Sequence, residues 1–219
     1  MIREFRQRET LAQALAHHIA SQLWQAIDQR DSAYLMLSGG STPVAMLKAL
    51  SALALPWAQI TVTLADERWV DESSEHSNSQ LIRTHLLQGP AAAAHYQPLY
   101  QGGDIDDAVA AMNKLEWTRQ APDVLVLGMG SDGHTASLFP DLADWRRWCD
   151  INAPEALLAV ATEASPLARI SFSGRILQRA RCSLLHIHGD EKRQLLDSGQ
   201  AQSLPIGEFL AQSNVWWAP

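Results

Sequence analysis

The chain has 219 residues, 47% hydrophobic and 19% charged, a balance that supports one sizeable core and excludes a disordered polymer. Its formal net charge of -7, with Lys and Arg scattered, excludes an extended nucleic-acid surface, so an anionic ligand must be held by local cations. No apolar run approaches the roughly 18 residues of a membrane span and Met1-Ile2-Arg3-Glu4 does not open a secretory signal, which predicts a cytoplasmic protein with a single domain over residues 1-219.

Leu11, Leu15, Ile19, Leu23 and Ile27 recur every fourth residue and predict an amphipathic helix closed by Asp31-Ser32. Ala33 to Leu37 is an almost wholly apolar run, as expected of a strand buried on both faces of a parallel sheet. Ser38-Gly39-Gly40-Ser41-Thr42-Pro43 follows at once, with Thr42 predicted as a helix N-cap and Pro43 as the first helical residue. Strands are then predicted at Ile60 to Ala65 and Asp123 to Leu127, and helices at Asn78 to Leu87 and Asp104 to Gln120. Further strands are expected at Leu157 to Ala161, Ile170 to Ser173 and Ser183 to His188. Alternating strands and helices imply an α/β fold of three layers, a mostly parallel sheet flanked by helices. Such sheets bind ligands outside the carboxyl ends of their strands, so the segments after the strands should converge there.

The first of those segments can hold a phosphate. Gly39 and Gly40 let backbone amides approach an anion, and a helix starting beside Ser41 and Thr42 favours negative charge. It is not a Walker A loop, because the spacing is wrong and Lys48 lies too far along. The second, Asp66-Glu67-Arg68, should bring at least one acid and the Arg to the same edge. The third contains Gly128, Gly130 and Gly133, which literally satisfy a dinucleotide-binding G-x-G-x-x-G. Asp132 inside that turn would repel a diphosphate, and the motif falls mid-chain rather than in the first strand-helix unit. Asp132-Gly133-His134 suits general base catalysis instead, with a carboxylate beside an imidazole. Arg169, just before a predicted strand, adds a cation, and Lys192, at a helix start after Gly189, can meet a phosphate at the Gly39-Gly40 loop.

Other features have plainer readings. His186 and His188 share one strand face without a third metal ligand, which favours packing. Cys149 and Cys182 are expected to be buried free thiols. Trp145 and Trp148, one helical turn apart, suit core or subunit contact, and Trp216-Trp217 should anchor the C-terminus.

Taken in order, L-S-G-G-S-T-P at Leu37 to Pro43, D-E-R-W-V at Asp66 to Val70, Ser77-Asn78, G-M-G-S-D-G-H-T-A-S-L-F-P at Gly128 to Pro140 and G-D-E-K-R at Gly189 to Arg193 resemble the 6-phosphogluconolactonase family. The resemblance runs from about residue 10 to the end of the chain. It implies a Rossmann-like fold of the glucosamine-6-phosphate deaminase type and no metal or organic cofactor. It also implies hydrolysis of 6-phospho-D-glucono-1,5-lactone to 6-phosphogluconate in the oxidative pentose phosphate pathway. The partner is then a small phosphorylated sugar lactone, with no nucleic acid or membrane, and the protein a monomer or small homo-oligomer. The family's histidine base falls on His134, oriented by Asp132 or Asp66, and Arg68 either stabilises the oxyanion or steers the phosphate. Gly39, Gly40, Ser41, Thr42, Lys192 and Arg169 would hold the phosphate.

Three departures stand out. Gly174-Arg175 and Gln178 replace the family's usual proline and asparagine, Asp141 stands where a glycine commonly follows, and the chain is slightly compact. A related deaminase carries a Glu five residues after the histidine, where this chain has Phe139, and a phenyl ring relays no proton. A non-catalytic sugar-phosphate sensor and a nicotinamide-dependent oxidoreductase are the remaining readings. The first lacks a DNA-binding extension and gives Asp132 no use beside His134; the second rests only on the glycine spacing.

Overall fold

The computed structural model describes residues 2–219. In chain order the elements are β1 (Ile2–Glu4), α1 (Arg8–Arg30), β2 (Ala33–Leu37), α2 (Val44–Ser51), β3 (Ile60–Leu64), β4 (Asp66–Arg68), α3 (Asn78–His85), β5 (His95–Gln97) and α4 (Ile105–Met112). They continue with β6 (Val124–Leu127), α5 (Trp145–Cys149), β7 (Leu157–Thr162), β8 (Ser165–Phe172), α6 (Gly174–Leu177), β9 (Cys182–His188), α7 (Asp190–Asp197), α8 (Gly207–Leu210) and β10 (Ser213–Ala218). No helix among the described residues is long and apolar enough to cross a membrane.

Seven strands form one parallel sheet in the order β1-β10-β9-β6-β2-β3-β5, flanked by helices. Its central strands read as apolar runs because both faces are covered: every residue of β2 and of β6 is buried. Helix α1 contributes a continuous apolar stripe in which Leu11, Leu15, Ile19 and Leu23 are all fully buried, each stabilising the fold by about 1.5–3 kcal/mol relative to exposure. It ends where Asp31 adopts a left-handed conformation and donates its amide to Ile27, as the sequence suggests. Trp216 is buried in β10, which lies inside the sheet, and Trp145 is buried in α5.

The chain builds outward from β2 through β3 to β5, then returns to the other side of β2 with β6, β9 and β10. The strand order therefore reverses between β2 and β6, and a crevice opens at their carboxyl ends.

Four expectations need correction. The segment Asp66 to Arg68, expected only to follow a strand, is itself a strand, in a second, antiparallel sheet of order β4-β8-β7. Ala65 marks the departure: its amide still donates to Leu37 of the main sheet, while its carbonyl accepts from Phe172 of β8. The strand expected from Ile170 begins at Ser165 and pairs antiparallel on both sides, so Arg169 lies inside β8 rather than before it. The helix expected over Asp104 to Gln120 stops at Met112. There the Asn113 carboxamide exchanges two hydrogen bonds with the Leu157 backbone, and the Thr118 hydroxyl donates to the carbonyls of Met112 and Leu115. Cys149 is buried, but Cys182 is only half-buried.

Candidate active site

The loop after β2 begins with the Ser38 amide donating to Val126 of β6, which ties the two strands beside the crevice. Gly40 has a φ of 91°, accessible to glycine at little cost. Gly39 is needed for space, since a Cβ there would run into the Asn78 carboxamide. Helix α2 starts at Val44, and the residue before it, Pro43, has helical φ and ψ; no side chain caps the helix. Thr42 is therefore not an N-cap, and the turn is set by the glycines and the proline ring. Gly39→Ala is expected to displace Asn78, with a loss of stability of about 1–3 kcal/mol. Thermal unfolding together with kcat/KM would read it, because Asn78 also contacts the neighbouring Arg68.

Strand geometry sorts the Asp66-Glu67-Arg68 triplet. Alternate residues point to opposite sides, so Asp66 and Arg68 line the cleft while Glu67 turns away. Glu67 is fully buried and accepts from the amides of Arg68, Asn78 and Ser79 and from the Ser77 hydroxyl. Burial pushes its carboxyl above the usual range, opposed by those donors. It thereby clamps the start of α3 and fixes Asn78, whose Oδ1 accepts from Arg68 Nη1 at 3.0 Å and whose Nδ2 donates to the Asp66 carbonyl at 2.9 Å. Sequence reasoning assigned no role to Glu67, because its partners become neighbours only when α3 folds back onto β4.

After β6, Gly130 donates its amide to His134 O and accepts from Gly133 N. Gly133 has a φ of 78°, and a Cβ at Gly130 would overlap the His134 ring. The glycines thus shape a tight turn that closes an imidazole onto a carboxylate. His134 Nδ1 lies 2.6 Å from Asp132 Oδ1, and the same oxygen accepts from the His134 amide at 3.1 Å. Partial burial pushes the Asp132 carboxyl up, but the hydrogen bonds from His134 outweigh it and hold it below the ordinary range. With Nδ1-H given to Asp132, Nε2 keeps its lone pair. The His134 ring stacks on Phe139, centroids 4.3 Å apart, and the Arg169 guanidinium lies 5.2 Å from the same Phe139 ring.

Asp66 is bonded elsewhere: its Oδ2 accepts from the Ser137 hydroxyl at 2.6 Å and lies 3.7 Å from Arg169 Nη1. Of the two acids the sequence left open, Asp132 touches His134.

These segments line one cleft of about 240 Å³, with Ser38, Gly39, Gly40, Ser41, Thr42, Asp66, Arg68, His134, Arg169 and Lys192 on its walls. Asp132 sits behind His134 rather than on the wall. Arg68 and Arg169 stand directly opposite each other across β4 and β8. Burial lowers the Arg169 pKa and the Arg68 charge adds to this, against the pull of Asp66. Like charges so placed are destabilising unless an anion lies between them. Lys192 has no ion-pair partner among the described residues, and burial lowers its pKa. Among the described residues, five buried side-chain polar atoms lack a partner, and Ser38 Oγ, Arg68 Nε and His186 Nδ1 all belong to cleft residues. Each such atom costs about 1–3 kcal/mol if left unsatisfied, which marks the cleft as a place for polar ligand atoms. Sequence reasoning set Ser38 only as the start of a motif and His186 as packing; neither has a local pattern that signals a cleft wall.

The unusual residues beyond Arg169 face away from this cleft. A Cβ at Gly174 would run into the Cys149 carbonyl, and Gln178 Nε2 donates to that carbonyl at 2.7 Å. They seat α6 against α5, while Asp141 accepts from the Ala164 amide in the β7-β8 turn.

A model of the glucosamine-6-phosphate isomerases/6-phosphogluconolactonase family matches residues 6–217. The chain is 38% identical to a 6-phosphogluconolactonase of Rhizobium meliloti (strain 1021), over 98% of this chain and 97% of the relative. It is 40% identical to one from Pseudomonas aeruginosa, over 95% and 90%. A crystal structure of a 6-phosphogluconolactonase from Shewanella baltica superposes with a TM-score of 0.90 at 33% identity, covering 100% of this chain and 97% of that one. With motif order, sheet topology and full-length similarity in agreement, this chain belongs to the glucosamine-6-phosphate isomerase/6-phosphogluconolactonase family.

Proposed function

We propose that this protein, as one domain over residues 1-219, hydrolyses 6-phospho-D-glucono-1,5-lactone to 6-phosphogluconate, as in the oxidative pentose phosphate pathway. The observation that carries the reading is the Asp132-His134 dyad beside a cleft walled by three cations. His134 Nε2 removes a proton from water, whose oxygen attacks the lactone carbonyl. The tetrahedral intermediate collapses by breaking the bond from the carbonyl carbon to the ring oxygen, and the imidazolium returns its proton to that departing oxygen. Asp132 holds the tautomer and stabilises the transient positive charge.

Arg68 serves the phosphate in this reading, because its opposition to Arg169 is relieved by a dianion shared between them. Lys192 and the Gly39-Gly40-Ser41-Thr42 loop complete the clamp. Asp66 acts through Ser137 and Arg169, keeping the latter in place. The related deaminase chemistry is disfavoured by Phe139, which packs under His134 as an apolar platform and carries no proton.

The test generates the lactone in place by oxidation of glucose 6-phosphate and follows 6-phosphogluconate dehydrogenase. The protein is expected to accelerate the second NADPH signal above spontaneous hydrolysis, and to act much more weakly on unphosphorylated gluconolactone. A folded sample that accelerates neither would remove the lactonase reading and bring the sensor forward.

A further inference from the structure

The reaction leaves His186 and His188 unused. Both project from one face of β9, and their Nε2 atoms lie 3.1 Å apart. Such a bond needs one ring to donate and the other to accept, so the two imidazoles hold a single proton between them. His186 is 2% exposed, lines the cleft together with Lys192, and has no partner for Nδ1 among the described residues. His188 is half-buried, so the pair leads from the cleft wall towards solvent. A metal does not explain the arrangement, since among the described residues no third His, Cys, Asp or Glu joins them.

The charges around the pair are Lys192 from α7 and Arg8 and Glu9 from α1, with Arg68 and the Asp132-His134 dyad in the same cleft. Burial is the largest influence on both rings, taking His186 down to about 3 with help from His188 and Lys192. His188 is lowered by burial, Arg8 and Lys192, against Glu9. Without an anion nearby the pair is therefore uncharged at neutral pH. A dianion beside Lys192 reverses the sign of the local field and favours a proton on the pair.

We infer that docking of a phosphate monoester beside Lys192 is coupled to uptake of one proton by the His186-His188 pair, which joins the clamp as a cation spread over two rings. This rests on the reading that the substrate phosphate occupies that end of the cleft. The proton comes from solvent by way of half-buried His188, and its arrival gives His186 two N-H groups, one bonded to His188 and one, Nδ1-H, without a partner among the described residues. The linkage has a fixed sign: a ligand that takes up a proton binds more tightly as pH falls, by up to about tenfold per unit while the bound pair is charged and the free pair is not.

The probe is 6-phosphogluconate, titrated calorimetrically at about pH 6.5 in buffers of different ionisation enthalpy. Proton uptake per ligand is read for the wild type and for His186→Gln, His188→Gln and His134→Asn. Proton release by the phosphate, which binds as the dianion, is common to all four and cancels in the differences. The expected result is a wild-type excess of about half a proton or more over both Gln variants, with His134→Asn retaining the wild-type value. Binding with equal uptake in wild type and His188→Gln would overturn the coupling while leaving the phosphate site standing. Loss of the excess in His134→Asn would reassign the proton to the dyad and equally overturn it. Failure of the wild type to bind 6-phosphogluconate would overturn the phosphate reading and the coupling together. Should His186→Gln not fold, the His188→Gln comparison decides alone, because that ring is half-buried and glutamine can still accept from His186.

Discussion

His134→Ala is expected to lower kcat by about 100-fold or more without unfolding the protein, the usual cost of deleting a general base. The imidazole reaches the cleft on a turn made by Gly130 and Gly133, and its contacts to Asp132 are partly exposed, so its removal subtracts little from stability. Thermal unfolding beside initial rates separates the two effects; near-normal turnover in a folded variant would end the assignment. Asp132→Asn is expected to reproduce much of the loss. Its carboxamide can donate to Nδ1, which places the remaining ring proton on Nε2 and abolishes the base. The pH dependence has a defined sign. The Asp132 carboxyl is held low, so its contribution is complete above the ordinary carboxylate range and is lost as pH falls through the depressed value. A loss of activity near neutral pH therefore does not come from Asp132.

Arg68→Ala is expected to lower kcat/KM for the phosphorylated lactone by about 100-fold while leaving hydrolysis of unphosphorylated gluconolactone within a few-fold. Two charge-assisted hydrogen bonds contribute about 3 kcal/mol, which corresponds to that factor. The side chain is pre-positioned: Nη1 donates to the His76 carbonyl at 2.8 Å and to Asn78, and Nε has no partner among the described residues. If Arg68 instead stabilised the oxyanion, both lactones would lose rate equally, so the ratio of the two substrates decides between the roles. Arg68→Lys is expected to recover only part of the loss, because an ammonium cannot bond His76, Asn78 and a ligand in one plane.

Much of the architecture is local in origin and was therefore legible. The apolar spacing of Leu11 to Ile27 and the buried runs at Ala33 to Leu37 and Val124 to Leu127 depend only on which face a residue presents. The strands β1, β5 and β10 are not legible in the sequence pattern. Three residues of β1 or β5 carry too little period to register, and β10 is recognisable only once its partners β1 and β9 flank it.

The same division runs through the site. The amino-acid sequence by itself put Asp132 and His134 in one turn, where two residues need no long-range contact to come close, while leaving Asp66 as an alternative partner, and it placed the Gly39-Gly40 loop and that turn after strands whose ends must face one edge. Only the tertiary structure decided that Asp132 rather than Asp66 holds the imidazole, that Arg68 opposes Arg169, that Glu67 is a buried clamp, and that His186 belongs to a cleft wall. Each of these depends on a pairing between distant segments, above all the departure of the chain at Ala65 into a second sheet. That departure is fixed by what β8 offers as a hydrogen-bonding partner, which no local pattern around Asp66 encodes.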